Sequence, residues 1–186
     1  MNNQQIRVSE LLKHAPAYHH WVDKLLAGYE LSAKSVAAYG FQRLPQFFNP
    51  QTLAAAKCVE VDVLPKVPWH EFGLSVPAGM DADFTGITFR NTYFVIRREV
   101  SQETLHFHEM VHVGQWQILG NDLFPLIYAL EAFRGSYSTN FLEDMARNIT
   151  TQFENTNSPF PSEAFIAAYV GHYLPTVFTH YIKGEL

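Results

Sequence analysis

The chain has 186 residues, 47% hydrophobic and 15% aromatic, enough for one substantial core in a single domain and too little for two. Its 13 basic and 18 acidic residues give a formal charge of −5 without long runs of either sign, which argues against nucleic acid or a membrane surface as a partner. The one cysteine, Cys58, cannot close an intrachain disulfide, the opening Met-Asn-Asn-Gln-Gln-Ile-Arg lacks the regions of a secretory signal, and the most apolar run, Leu123 to Leu130, is too short to span a bilayer, so a cytoplasmic protein is expected.

In chain order, residues 4–14, about 16–28 and about 31–44 have helical spacing and each ends near Pro or Gly. Asn49-Pro50 reads as an N-cap followed by proline at the first helical position, opening a short helix through Lys57. Residues 1–57 are thus expected as a helical N-terminal cap. The period then changes. Residues 58–64 alternate apolar and acidic residues as a half-buried strand does, and Pro65 and Pro68 close it. An irregular stretch to about Phe84 is expected as a loop or as one wall of a cleft. Gly86 to Phe89, a turn at Arg90-Asn91, and Thr92 to Ile96 read as a hairpin, completing a strand and loop region over 58–100.

A helix is expected over about 102–119, with Ser101 as its N-cap and Gly120-Asn121 as its stop. Further helical spacing covers 122–134, about 140–154 and about 162–182, the last interrupted by Pro175. These give a central region over 101–156 and a C-terminal helix over 157–186. The expected fold class is α+β, mostly helical, with a short sheet beside the central helix.

That helix carries His108-Glu109-Met110-Val111-His112, an HExxH motif. Residues four apart lie one above the other on a helix, so His108 and His112 can both present a ring nitrogen to one Zn²⁺ ion. Glu109 then stands beside the metal as a general base, able to take a proton from an activated water and pass it to a leaving amine. Both histidines fall on a stripe with Leu105, Trp116 and Leu119 that is otherwise apolar. The competing reading is a pair of core histidines satisfied by hydrogen bonds, but burying Glu109 without a partner would cost several kcal/mol.

A zinc site of this kind needs a third protein ligand. Glu131 falls opposite His112 if residues 104–119 and 123–134 form an antiparallel helical hairpin turning near 121. Glu143 lies 31 positions beyond His112, early in the next helix, where a polar start precedes an inward-facing acid. His106 points some 200° away from His108 and is expected at a surface or in local packing. His19, His20, His70, His172 and His180 have no metal-ligand spacing of their own. Tyr137, Tyr169 and His172 are candidates to stabilise an oxyanion. Gln115 and Trp116, one turn beyond His112, are expected to support a ligand or to pack, and Asp144 to orient a ligand or face solvent.

The segment from His108 through Gln115 and Leu119-Gly120, followed by Phe124, Tyr128 and Tyr137-Ser-Thr-Asn-Phe-Leu-Glu143-Asp-Met-Ala146, resembles small bacterial HExxH proteins of the gluzincin type. Their pattern runs HExxHVxQ, then LG, spaced aromatics and a YxxNxxExxA block. The resemblance covers about residues 58–148 and implies a zincin-like metallopeptidase core, His108, His112 and Glu143 as ligands, and Glu109 as base. The chain differs from the pattern at Gly114, where a larger residue is common, and at Phe141, where proline is frequent. The expectation is zinc-dependent hydrolysis of a peptide or protein substrate. A zinc-binding, non-catalytic regulatory or binding module is the alternative.

Overall fold

A computed structural model describes residues 6–135 and 140–179. The first helix, α1 (Val8–Tyr29), runs unbroken through Pro16, so the two helices expected over 4–14 and 16–28 are one. Proline removes one main-chain hydrogen bond from a helix interior. Here packing holds the helix on both sides of that gap. Leu11 lies in an apolar cluster with Ala129 and Leu130, and Val22 in another with Val59 and Phe94.

Residues 31–44 do not form the expected helix. Lys34 and Ser35 make a two-residue strand, β1 (Lys34–Ser35), and a short 3₁₀ turn then ends at Gly40 with φ +70°. Pairing with the next strand satisfies this backbone in place of a helix. Asn49 caps α2 (Pro50–Ala55) as its sequence predicts, its side chain accepting from the Gln51 N–H at 2.9 Å. The strands β2 (Lys57–Val61), β3 (Gly86–Phe89) and β4 (Thr92–Ile96) follow, β2 ending three residues before the predicted limit. Arg90, at φ +58°, sits in the hairpin turn between β3 and β4.

The sheet order is β1-β2-β4-β3, with β2 parallel to β4 and the other pairs antiparallel. Alternation divides its residues between two faces. Phe89, Phe94, Val59 and Val61 pack against α1, while Cys58, Tyr93 and Val95 join the main core built around α3 (Glu103–Arg134). The sheet therefore lies between α1 and α3, and among the described residues β3 is an edge strand paired only with β4.

Ser101 is not the N-cap of α3. Gln102 holds that position without a side-chain bond, because a turn in which the Gln102 N–H donates to Glu99 O delays the start. Gly120 breaks α3 as expected, with φ +73° and ψ −178°. In a straight helix Trp116 and Phe124 would be about 12 Å apart along the axis. Their rings stack at 4.2 Å, so the chain folds back at Gly120 without a loop. Two further helices, α4 (Phe141–Asn155) and α5 (Ser162–Val177), complete the core around α3, and α5 includes Pro175. Asn140 caps α4, accepting from the Leu142 N–H at 3.0 Å. Among the described residues no helix is long and apolar enough to cross a membrane.

Candidate metal centre

His108 and His112 emerge from one face of α3, and Glu143 comes from the first turn of α4. Packing of α4 on α3 brings the three together. His112 Nε2 lies 3.2 Å from His108 Nε2 and 3.5 Å from Glu143 Oε1, and His108 Nε2 lies 3.6 Å from Glu143 Oε2. Two ligands at zinc bond lengths and a tetrahedral angle are about 3.3–3.5 Å apart. The spacing thus fits one small cation, and two imidazoles with a carboxylate form a suitable donor set. His112 and Glu143 are almost fully buried, while His108 keeps 19% of its side chain exposed.

The surrounding bonds fix these three side chains. Gln115 Nε2 donates to Leu142 O at 2.8 Å, which leaves Oε1 to accept from His112 Nδ1–H, also at 2.8 Å. With Nδ1 engaged by Gln115, it is Nε2 of His112 that faces His108 and Glu143, and its lone pair is offered there once its proton leaves. Tyr128 Oη donates to Glu143 Oε1 at 2.8 Å. Burial disfavours the imidazolium of His112, but the Glu143 carboxylate, helped by Glu109 and Gln115, more than offsets this and lifts it to about 9. Burial works against the Glu143 carboxylate too, yet His112 and His108 hold it well below the usual range. The cluster demands a positive charge, from a proton or from a metal.

Glu109 lies on the sheet side of this cluster. Thr88 Oγ1, on β3, donates to Glu109 Oε2 at 2.6 Å. A Cβ at Gly86 would collide with the Glu109 carboxylate, so glycine leaves room for it against the strand. Burial raises the Glu109 carboxyl above its usual range, opposed by the two histidines and by Thr88. The Ile96 N–H donates to Thr85 O, a pairing that directs the main-chain groups of Gly86 and Thr88 outward along the β3 edge.

A cavity of about 210 Å³ opens from His108, Glu109, His112 and Glu143. The irregular stretch before β3 is one of its walls, through Val67, Trp69, Phe72, Leu74, Met80 and Phe84. The first half of α1 supplies another, which sequence reasoning missed because α1 carries no motif.

Glu131 is absent from the cluster and from the cavity lining. The fold-back centres on Gly120, stacking Phe124 on Trp116 and bringing Tyr128, not Glu131, to the site. Tyr169 packs in the core beside Tyr173, and His172 is exposed; neither lines the cavity. Tyr137 and His180 lie outside the described residues. Asp144 points to solvent and pairs with Arg147. His106 is fully buried rather than at the surface: its Nε2 donates to Val100 O at 2.8 Å and its Nδ1 accepts from Tyr93 Oη at 2.7 Å, so neither nitrogen is free for a metal. The sequence alone assigns Thr88, Tyr128 and Gly86 no role at the site, although Tyr128 is one of the spaced aromatics of the resemblance. Their signal is the hairpin and the aromatic spacing, which becomes specific only once folded.

No family model, curated protein sequence or solved structure matches this chain.

Proposed function

We propose that the protein is a zinc-dependent peptidase with a zincin-like core, in which His108, His112 and Glu143 hold the metal and Glu109 is the general base. The observation that supports this best is the placement of Glu109. A purely structural site has no use for a buried carboxylate anchored by Thr88 beside two histidine ligands and next to an edge strand. Zinc, when bound, supplies Lewis acidity and lowers the pKa of its water toward about 7.

The chain's own residues do the rest. Thr88 holds Oε2 of Glu109, leaving the carboxylate aimed along the sheet edge, where it takes the proton of the attacking water and returns it to the leaving amine. Gln115 and Tyr128 keep His112 and Glu143 oriented. Gly86 and Thr88 offer main-chain donors and acceptors to an extended peptide, which lies along β3 as an added strand. The resemblance of the HExxH and YxxNxxExxA segments to gluzincin-type proteins agrees with these assignments.

The test is metal content by plasma mass spectrometry together with cleavage of a mixed peptide library. Wild-type protein should carry near-stoichiometric zinc, Glu131→Ala should keep it, and Glu143→Ala should lose it. Glu109→Gln should keep zinc and lose about 10²- to 10⁴-fold in cleavage rate. A wild type that takes up no zinc on reconstitution would sink the proposal. Cleavage unchanged in Glu109→Gln would remove the base and favour the non-catalytic module.

A further inference from the structure

We infer that the cavity beside the metal cluster is a specificity chamber for one bulky apolar side chain of the substrate, and that it rejects charged ones. This rests on the peptidase reading and names its substrate class. The chamber is lined by β3, by the first half of α1 and by the part of α3 after Gly120. Leu11, Ala15 and Tyr18 reach it from α1, Trp69 and Phe72 from the wall segment, and Phe124 from α3. An apolar cavity of about 150 Å³ suffices for a benzene ring. The cavity here, about 210 Å³ including the space over the cluster, has room for one aromatic or large aliphatic side chain.

What the lining lacks decides against charge. No lysine or arginine is among the described residues that line it. Beyond the cluster and Glu109, the only carboxylate is Asp122, whose side chain is 90% exposed and already paired with His19 at 3.2 Å. His14 and His19, both partly exposed, add only imidazoles, so a substrate lysine or glutamate would lose water without gaining a buried counter-ion beyond the cluster and Glu109, a penalty that outweighs the modest preference of one apolar side chain for another. Tyr18 stays a neutral hydroxyl, since burial raises its pKa.

The experiment uses zinc-loaded full-length protein and four probes: acetohydroxamate, and three otherwise identical peptide hydroxamates carrying Phe, Lys or Glu next to the metal-binding group. By calorimetric titration the Phe probe should bind about 10- to 200-fold more tightly than the Lys and Glu probes. Ala15→Trp, a filling substitution on a half-buried position of α1, should weaken the Phe probe at least about tenfold and leave acetohydroxamate unchanged. Equal affinity for the three side chains would overturn the inference, as would an Ala15→Trp variant that binds the Phe probe like the wild type. A clear Phe preference without cleavage of any peptide would retain the chamber and refute the peptidase. Failure of every probe, acetohydroxamate included, would refute both.

Discussion

The proposed third ligand is held by a phenol. Tyr128 donates to Glu143 Oε1, so Tyr128→Phe removes one hydrogen bond and almost no volume. Partners of metal ligands typically contribute 10- to 100-fold to affinity. Zinc affinity of Tyr128→Phe, measured by competition with a chromophoric chelator, should fall about tenfold with the fold intact; unchanged affinity would mean that Tyr128 serves only to stack on Phe124. A second residue-scale expectation concerns protons. With its pKa raised to about 9, His112 is protonated in the metal-free protein at pH 7, and a metal ion must displace that proton. Metal affinity should therefore fall about tenfold for each pH unit below about 9. Titrations at pH 7.5 in buffers of different ionisation enthalpy should report release of about one proton.

At the scale of elements, the site depends on where α3 turns. Gly120 has φ +73° and ψ −178°, a combination that essentially only glycine adopts, and no atom lies within 4 Å of a Cβ built there. Gly120→Ala should thus cost about 1–3 kcal/mol through the backbone alone, read as a lower midpoint in urea denaturation. At Gly114 a Cβ would instead meet Ile166 Cδ1 at 2.7 Å, the far end of a side chain that can turn aside. The contrast shows what the sequence could reveal. His108, His112 and the helix that bears them follow from a local period, as do Asn49 as a cap, the hairpin across Arg90-Asn91 and the break at Gly120. The partner across that break does not. A hairpin centred near 121 would have delivered Glu131, whereas the actual turn, made with no loop residues, delivers Tyr128. The region 31–44 fails for a related reason: its helical spacing is overridden by pairing with β2, which lies more than twenty positions away along the chain. His106 illustrates the same limit within a single helix, since its partners Tyr93 and Val100 come from a strand and a turn.

Over the whole molecule, the proposed ligands come from two helices, α3 and α4, so metal binding at this cluster would be linked to folding. A ligand present at 100 times its dissociation constant adds about 2.7 kcal/mol to stability. For a chain of this size that corresponds to roughly 5–10 °C in melting temperature. Differential scanning fluorimetry should show this gain on adding zinc and its reversal by chelator in the wild type, and no gain in Glu143→Ala. A wild type indifferent to zinc would mean that the cluster is already satisfied without it.

The segment between Val61 and Gly86 joins two strands that have only β4 between them. Neighbouring strands are about 4.8 Å apart, so the gap it bridges is about 10 Å. The chain spends far more length there than the crossing requires, and the surplus forms the wall bearing Trp69, Phe72 and Met80. Its length and composition can therefore drift through insertion, deletion and exchange while the sheet register, the turn at Gly120 and the ligands stay as they are. Descendants of this fold can diversify what they accept without having to reinvent what they do.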